Sequence, residues 1–192
     1  MISQIPSITA ASCVSFYWLT VAVKCIRMAR LIRKDPNVIP RERTGQFVRL
    51  IWAPLLATWI VYPWLHLDKA SSISSLIAIL GAIACLVALT ASYHCWREMG
   101  TSWRIGIDPD EKTEMIVGGA YHYVRHPIYA LSILLVWGSL AACPDLVMLL
   151  VAFFHSVLML TEARREEKYM LHTHGQPYAD YMKTTGRFIP RF

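Results

Sequence analysis

Charge is scarce in this chain. Only 17% of its 192 residues are Asp, Glu, Lys or Arg, and 55% are hydrophobic. A soluble domain carries roughly 25% charged residues, so an ordinary soluble enzyme is a poor reading. Paired cysteines are missing too. Cys13, Cys25, Cys85, Cys95 and Cys143 are odd in number and show no C-x-x-C spacing, which leaves neither a disulfide framework nor a zinc pattern. They read as small buried hydrophobes. His122 and His126 lie four apart, but Pro127 breaks the helix that would give this spacing meaning, so no metal site is expected. A dinucleotide fingerprint is also lacking. The first residues, Met1 to Pro6, have no basic region of the kind that opens a cleavable signal, so the first apolar run is expected to be retained. The C-terminus carries no prenylation motif.

Long apolar runs are plentiful. Mean hydropathy is +0.39, and a span needs about 20 apolar residues to cross the hydrocarbon. Five runs qualify: about Ile8–Ile26, Phe47–Leu67, Ile73–Cys95, Ile128–Cys143, and a fifth that begins at Asp145, stays apolar to Leu160 and continues as a charged helix. Lys24 is expected to snorkel from the first. Cys143-Pro144-Asp145 reads as a tight helical hairpin, and Asp68 to Ser72 as a second short turn. The expected fold is all-α: one polytopic helical membrane domain over residues 1–192 with about five spans.

Arg27, Arg30, Arg33, Lys34, Arg41 and Arg43 crowd the first long loop, while the turns at Asp68 and Pro144 are nearly free of Arg and Lys. Basic residues mark the cytoplasmic side. This predicts an outside N-terminus, a cytosolic C-terminus, and one cytosolic face shared by the Arg97–Pro127 loop and the Glu162–Phe192 tail. The net charge of +6 therefore points to membrane orientation and not to nucleic acid. The Arg27–Arg43 loop, with Asp35-Pro36-Asn37 as a turn, reads as solvated and headgroup-facing.

The polar clusters fall on that face. Gly118-Gly119-Ala120-Tyr121-His122-Tyr123-Val124-Arg125-His126-Pro127-Ile128-Tyr129 puts hydrogen-bonding groups where a span begins. Pro127 suits a first helical turn, whose free N–H groups favour anions. Arg125 adds a planar cationic fork, and Tyr129 a hydroxyl one step in. In the tail, Glu162, Glu166 and Tyr169 share one helical face at steps of four and three. Gly175 reads as a helix stop, with Tyr178 and Tyr181 three apart on a short helix after it. Arg187 precedes Pro190 in an extended end. Gly100 to Asp108 flanks a Trp103-Arg104 pair with glycines, and Ile105, Ile107 and Met115 to Val117 suggest a short hairpin around acidic Asp108, Asp110 and Glu111.

These motifs, in this order from about Gly100 to Pro190, resemble the isoprenylcysteine carboxyl methyltransferase family of integral membrane methyltransferases. Phospholipid N-methyltransferases and bacterial thiol methyltransferases look like its relatives. The resemblance implies S-adenosylmethionine as cofactor, bound from the cytosol by Tyr121, Arg125, His126, Pro127, Tyr129, Tyr178, Tyr181 and Arg187. It implies that the paired Glu166 and Glu167 serve the chemistry, with Glu166 the first candidate for a base. Members acting on prenylcysteine often carry an arginine four residues before that pair. Here the position is Glu162, and Arg164 and Arg165 are the arginines close by. Glu162, Arg164, Arg165 and Trp103 are the expected acceptor contacts. The implied acceptor is small and lipophilic or lipid-linked, entering from the bilayer, and it can be a carboxylate, thiol or amine. A membrane reductase of sterol-reductase-like fold using a nicotinamide cofactor, and a non-catalytic membrane scaffold, are the alternatives.

Overall fold

The computed structural model describes residues 4–67, 75–107 and 114–191. The turn expected at Asp68 to Ser72, the start of the third span at Ile73, and the acidic positions Asp108, Asp110 and Glu111 lie outside them.

Six α-helices follow one another: α1 (Ile5–Ile32), α2 (Arg43–Leu65), α3 (Ser75–Met99), α4 (Pro127–Ala142), α5 (Leu146–His174) and α6 (Gln176–Thr184). The fold is all-α, with no strand among the described residues. Local chemistry sets the ends. Pro6 lies in the first turn of α1, and Arg33 ends it with a left-handed φ of 52°. Pro127 opens α4. Asp145 caps α5 by accepting from the Val147 N–H at 2.9 Å, the usual role of an Asp there. Gly175, at φ 60°, ends α5 and begins α6.

Four helices (α1, α2, α3 with its 3-10 extension, and α5) are long and apolar enough to cross a membrane. The fourth expected span differs. α4 is apolar but has 16 residues, which cover about 24 Å at 1.5 Å each, short of a hydrocarbon core of about 30 Å.

α4 lies in the middle of the bundle and packs closest on α3. A Cβ built on Gly81 would stand 2.6 Å from the Gly138 carbonyl oxygen, and one on Gly138 2.9 Å from that of Gly81. Small residues let the two backbones touch, a common device where lipid supplies no hydrophobic drive for helix pairing. Several polar side chains inside the bundle are paired. The Trp59 indole donates to Ser139 Oγ at 2.9 Å, and Ser132 Oγ and His155 Nε2 are 2.8 Å apart. Ser7 Oγ donates to the Ala142 carbonyl at 2.5 Å. Phe16, Leu19, Leu80, Leu86 and Phe153 are exposed on the outer faces, as expected for surfaces that meet acyl chains.

Cross-links show which ends share a side. Ser7 meets Ala142 and Tyr62 meets Asp145 at one end. Lys24 meets Trp96 and Glu42 meets Arg165 at the other. The second end therefore gathers the 33–42 loop, the segments on either side of Pro127, and the tail.

Lys24 Nζ donates to the Trp96 carbonyl at 3.0 Å and lies 5.3 Å from the centre of the Trp103 ring. Two local expectations are corrected at that end. The 33–42 loop is not simply solvated. Asn37 is buried, and its amide donates to the carbonyls of Ile105 and Ile107 at 2.9 and 2.7 Å. Those bonds, with Ile105 N–H donating to the Pro36 carbonyl at 3.1 Å, take up the backbone groups that a hairpin would have used. The described parts of 105–107 and 114–117 accordingly form no strand.

Candidate active site

Everything at this end is organised around Glu167, one helical step past Glu166 on α5. Its side chain is only 5% exposed. Oε1 accepts from Arg125 Nε at 3.0 Å and from Arg187 Nε at 2.9 Å, and Oε2 accepts from Arg187 Nη2 at 2.5 Å. Two guanidinium forks on one carboxylate form a charge-assisted cluster. Arg125 also donates to the carbonyls of Met182 and Thr185. Backbone bonds run alongside: Arg125 N–H to the Gly186 carbonyl at 2.8 Å and His126 N–H to that of Arg187 at 3.1 Å. The tail is thereby stapled to the segment before α4, and Tyr181 adds a hydroxyl bond to the Tyr121 carbonyl.

Pro127 leaves His126 just ahead of the helix, with its ring aimed at α5. Nδ1 lies 3.4 Å from Glu166 Oε2, and Nε2 lies 3.5 Å from Glu167 Oε1. The second approach is close enough for ionic attraction but lacks hydrogen-bond alignment, so Nε2 has no hydrogen-bond partner. Burial alone would lower the imidazole pKa. The two carboxylates outweigh it, and the net shift is upward from 6.5. The Tyr129 ring stacks parallel to His126 at 5.4 Å between centres. Burial pushes the Tyr181 phenol up to about 12, so it acts as a neutral hydrogen-bonding group near neutral pH.

Two cavities meet here. The larger, of about 1130 Å³ counting its open mouth, has aromatic walls from Tyr17, Trp18, Trp52, Trp96 and Trp103, and is also lined by Pro127, Tyr129, Arg49, Glu162 and Arg165. The smaller, of about 770 Å³, is lined by Tyr169, Met170, Tyr178, Tyr181, Met115 and Ile116. Tyr121, Arg125, His126 and Glu166 border both. Glu166 is 32% exposed, so its carboxylate is the accessible member of the glutamate pair.

The expected residues thus separate into groups. Tyr121, His126, Pro127, Tyr129, Tyr178, Tyr181, Glu166, Glu162, Arg165 and Trp103 line one cavity or both. Arg187 and Glu167 line neither and hold the tail. Arg164 is exposed and lines neither. Arg165 bridges Glu162 at 2.5 Å and Glu42 at 3.0 Å, closing the rim of the larger cavity against the 33–42 loop. Sequence reasoning missed Asn37, Arg49, Trp18 and Trp52. For Arg49 the signal was present: it is a lone charge inside the second apolar run. Among the described residues no group of three or more His, Cys, Asp or Glu is gathered as a metal site.

A family model for phospholipid methyltransferases matches residues 76–177, from α3 to the first turn of α6. Comparison with curated proteins gives no match.

Proposed function

The chain belongs to the phospholipid methyltransferase family, and from that premise we propose that it transfers a methyl group from S-adenosylmethionine to a small lipophilic or lipid-linked acceptor held in the larger cavity. The observation that carries this reading is the pair of cavities that meet at His126 and Glu166.

The smaller cavity fits the cofactor's chemistry. Tyr169, Tyr178, Tyr181 and Met170 offer aromatic and thioether surface to a purine, and Glu166 offers a carboxylate to a cationic ligand. The unmatched Nε2 of His126 is a further polar group for it. When bound, S-adenosylmethionine supplies an electrophilic methyl group on a sulfonium. The protein's part is orientation and exclusion of water.

Glu166 is the residue we assign to proton transfer. An amine or thiol acceptor must lose a proton, and this carboxylate stands where both cavities open. A carboxylate or thiolate acceptor needs no base, and Glu166 then acts by charge alone. His126 holds Glu166 in place, with Tyr129 stacked behind it. Glu167 is saturated by Arg125 and Arg187, so it is a positioning residue and not a second base. The same pairing makes Arg125 and Arg187 the clasp that fixes the tail.

The site end faces the cytosol in this proposal. The basic cluster from Arg27 to Arg43 belongs to that end, and the α4–α5 turn at the opposite end has little basic charge. The test is a calorimetric titration of detergent-solubilised protein with S-adenosylhomocysteine. Saturable binding, weakened in H126A and Y178A, is expected. A stable sample that takes up no ligand at millimolar concentration overturns the cofactor assignment.

A further inference from the structure

Arg49 is placed where a cation needs a reason. It lies two turns into α2, in an otherwise apolar stretch, and it lines the larger cavity. No carboxylate among the described residues lies within ion-pair distance of it. Nη2 reaches the carbonyls of Asn37 and Ile105 only at 3.4 and 3.5 Å, the outer limit for such bonds. Nε is buried with no acceptor at all. The guanidinium is 5.1 Å from the centre of the Trp52 ring, and Trp52 meets Trp18 edge-on at 5.0 Å. Both indole N–H groups are likewise buried without acceptors. Three unsatisfied N–H donors, one of them cationic, therefore belong to three neighbouring side chains on the wall of one cavity.

The other charges nearby do not use Arg49. Arg165 ties Glu162 and Glu42 together, and Arg125 is committed to Glu167. Buried donors of this kind are normally satisfied, and a cluster with an excess of donors is matched by a group rich in oxygen acceptors.

We propose that Arg49, with the indole N–H groups of Trp18 and Trp52, binds an oxyanion carried by the acceptor, a phosphodiester or a carboxylate, and so orients the acceptor in the larger cavity. Arg49 is a substrate-positioning residue supplied by α2, outside the stretch that matches the family. The oxyanion site stands on the cavity itself; only the word acceptor rests on the methyltransferase reading.

The test uses the full chain in a neutral detergent and three probes with the same tail: dodecyl phosphate, dodecanoate and dodecan-1-ol. The wild-type protein binds at least one anionic probe about tenfold more tightly than the alcohol, as one charge-assisted contact allows. Tighter dodecyl phosphate identifies a phosphate ester, and tighter dodecanoate a carboxylate. R49Q loses the preference, R49K keeps part of it, and R27Q, on an exposed arginine, keeps it in full. Equal binding of all three probes by the wild type overturns the proposal, as does an R49Q protein that retains the preference. S-adenosylhomocysteine binding is measured on the same samples. It stays unchanged in R49Q, which also shows that the variant is folded. Should the wild type fail to bind that ligand, the cofactor assignment falls while the anion preference still decides the role of Arg49.

Discussion

Arg187 Nε lies 2.9 Å from Glu167 Oε1, so the last polar stretch of the chain is anchored to a buried carboxylate on α5. Arg125 occupies the same oxygen from the other side. Folding of the tail and the shape of the smaller cavity are therefore linked through one side chain.

Removing that side chain leaves two guanidinium groups unpaired. E167A is expected to lose about 3–5 kcal/mol, the scale for breaking a buried ion pair by deleting one partner. S-adenosylhomocysteine affinity falls with it, since Tyr178 and Tyr181 lose their support. Thermal unfolding in detergent, with and without ligand, measures both; an E167A protein as stable as wild type contradicts the clasp.

Glu166 predicts a different signature. E166Q preserves shape and should leave the melting temperature within a few degrees. If the acceptor must be deprotonated, turnover falls about 100-fold or more, on the scale of general base catalysis, beyond any loss of cofactor affinity from the missing charge. A variant with full turnover on an amine or thiol acceptor would remove Glu166 from proton transfer.

The pH dependence follows from His126. Its pKa is raised in the folded protein above 6.5. The imidazolium–carboxylate attraction is complete below the unfolded value and is lost as pH rises through the folded one. Stability and ligand affinity should therefore decline as pH rises above 6.5 and through the raised folded value, and H126N should flatten that decline. An unchanged profile in H126N assigns the titration elsewhere.

At the rim, Arg165 and Glu42 are partly exposed, so their bond contributes at most about 1 kcal/mol. R165A should be nearly as stable as wild type, yet it frees the 33–42 loop from α5. The expected result is a raised KM for the acceptor at nearly constant kcat, and a fall in kcat alone would argue against a role in acceptor retention.

Deep in the bundle, G138A places a methyl group 2.9 Å from Cys85 Sγ and from the Gly81 carbonyl. Overpacking of this kind costs about 1–3 kcal/mol. A drop in melting temperature is expected, and an unaltered one would mean that α3 and α4 separate at no cost.

Long elements were legible in the sequence because their signal is local. The apolar runs foretold α1, α2, α3 and α5, and Gly175 marked the break before α6. The motif from Tyr121 to Tyr129 and the glutamates of α5 could be placed on one face because both carry polar groups that a bilayer excludes, and the family resemblance suggested that they share a site. What was not legible depends on distant partners. Glu166 and Glu167 are neighbours in sequence, but only packing shows that one faces two cavities and the other is saturated by arginines 42 and 20 residues away. Asn37 looked like a turn residue until its amide was seen to bond Ile105 and Ile107. Arg49 stood out as a charge in an apolar run, yet nothing local ties it to Trp18 or to a cavity wall.

The shortness of α4 has a consequence for where a reaction can occur. About 6 Å of hydrocarbon thickness is left uncovered by its 16 residues at 1.5 Å each. His126 and Tyr129, at its first turn, therefore stand short of the ends of the longer helices around them. Raising a lipid toward water costs about 0.8 kcal/mol for every methylene exposed. In the proposed reaction, a centre set back in this way would meet an amphiphile near its resting position, with little work of extraction in the barrier.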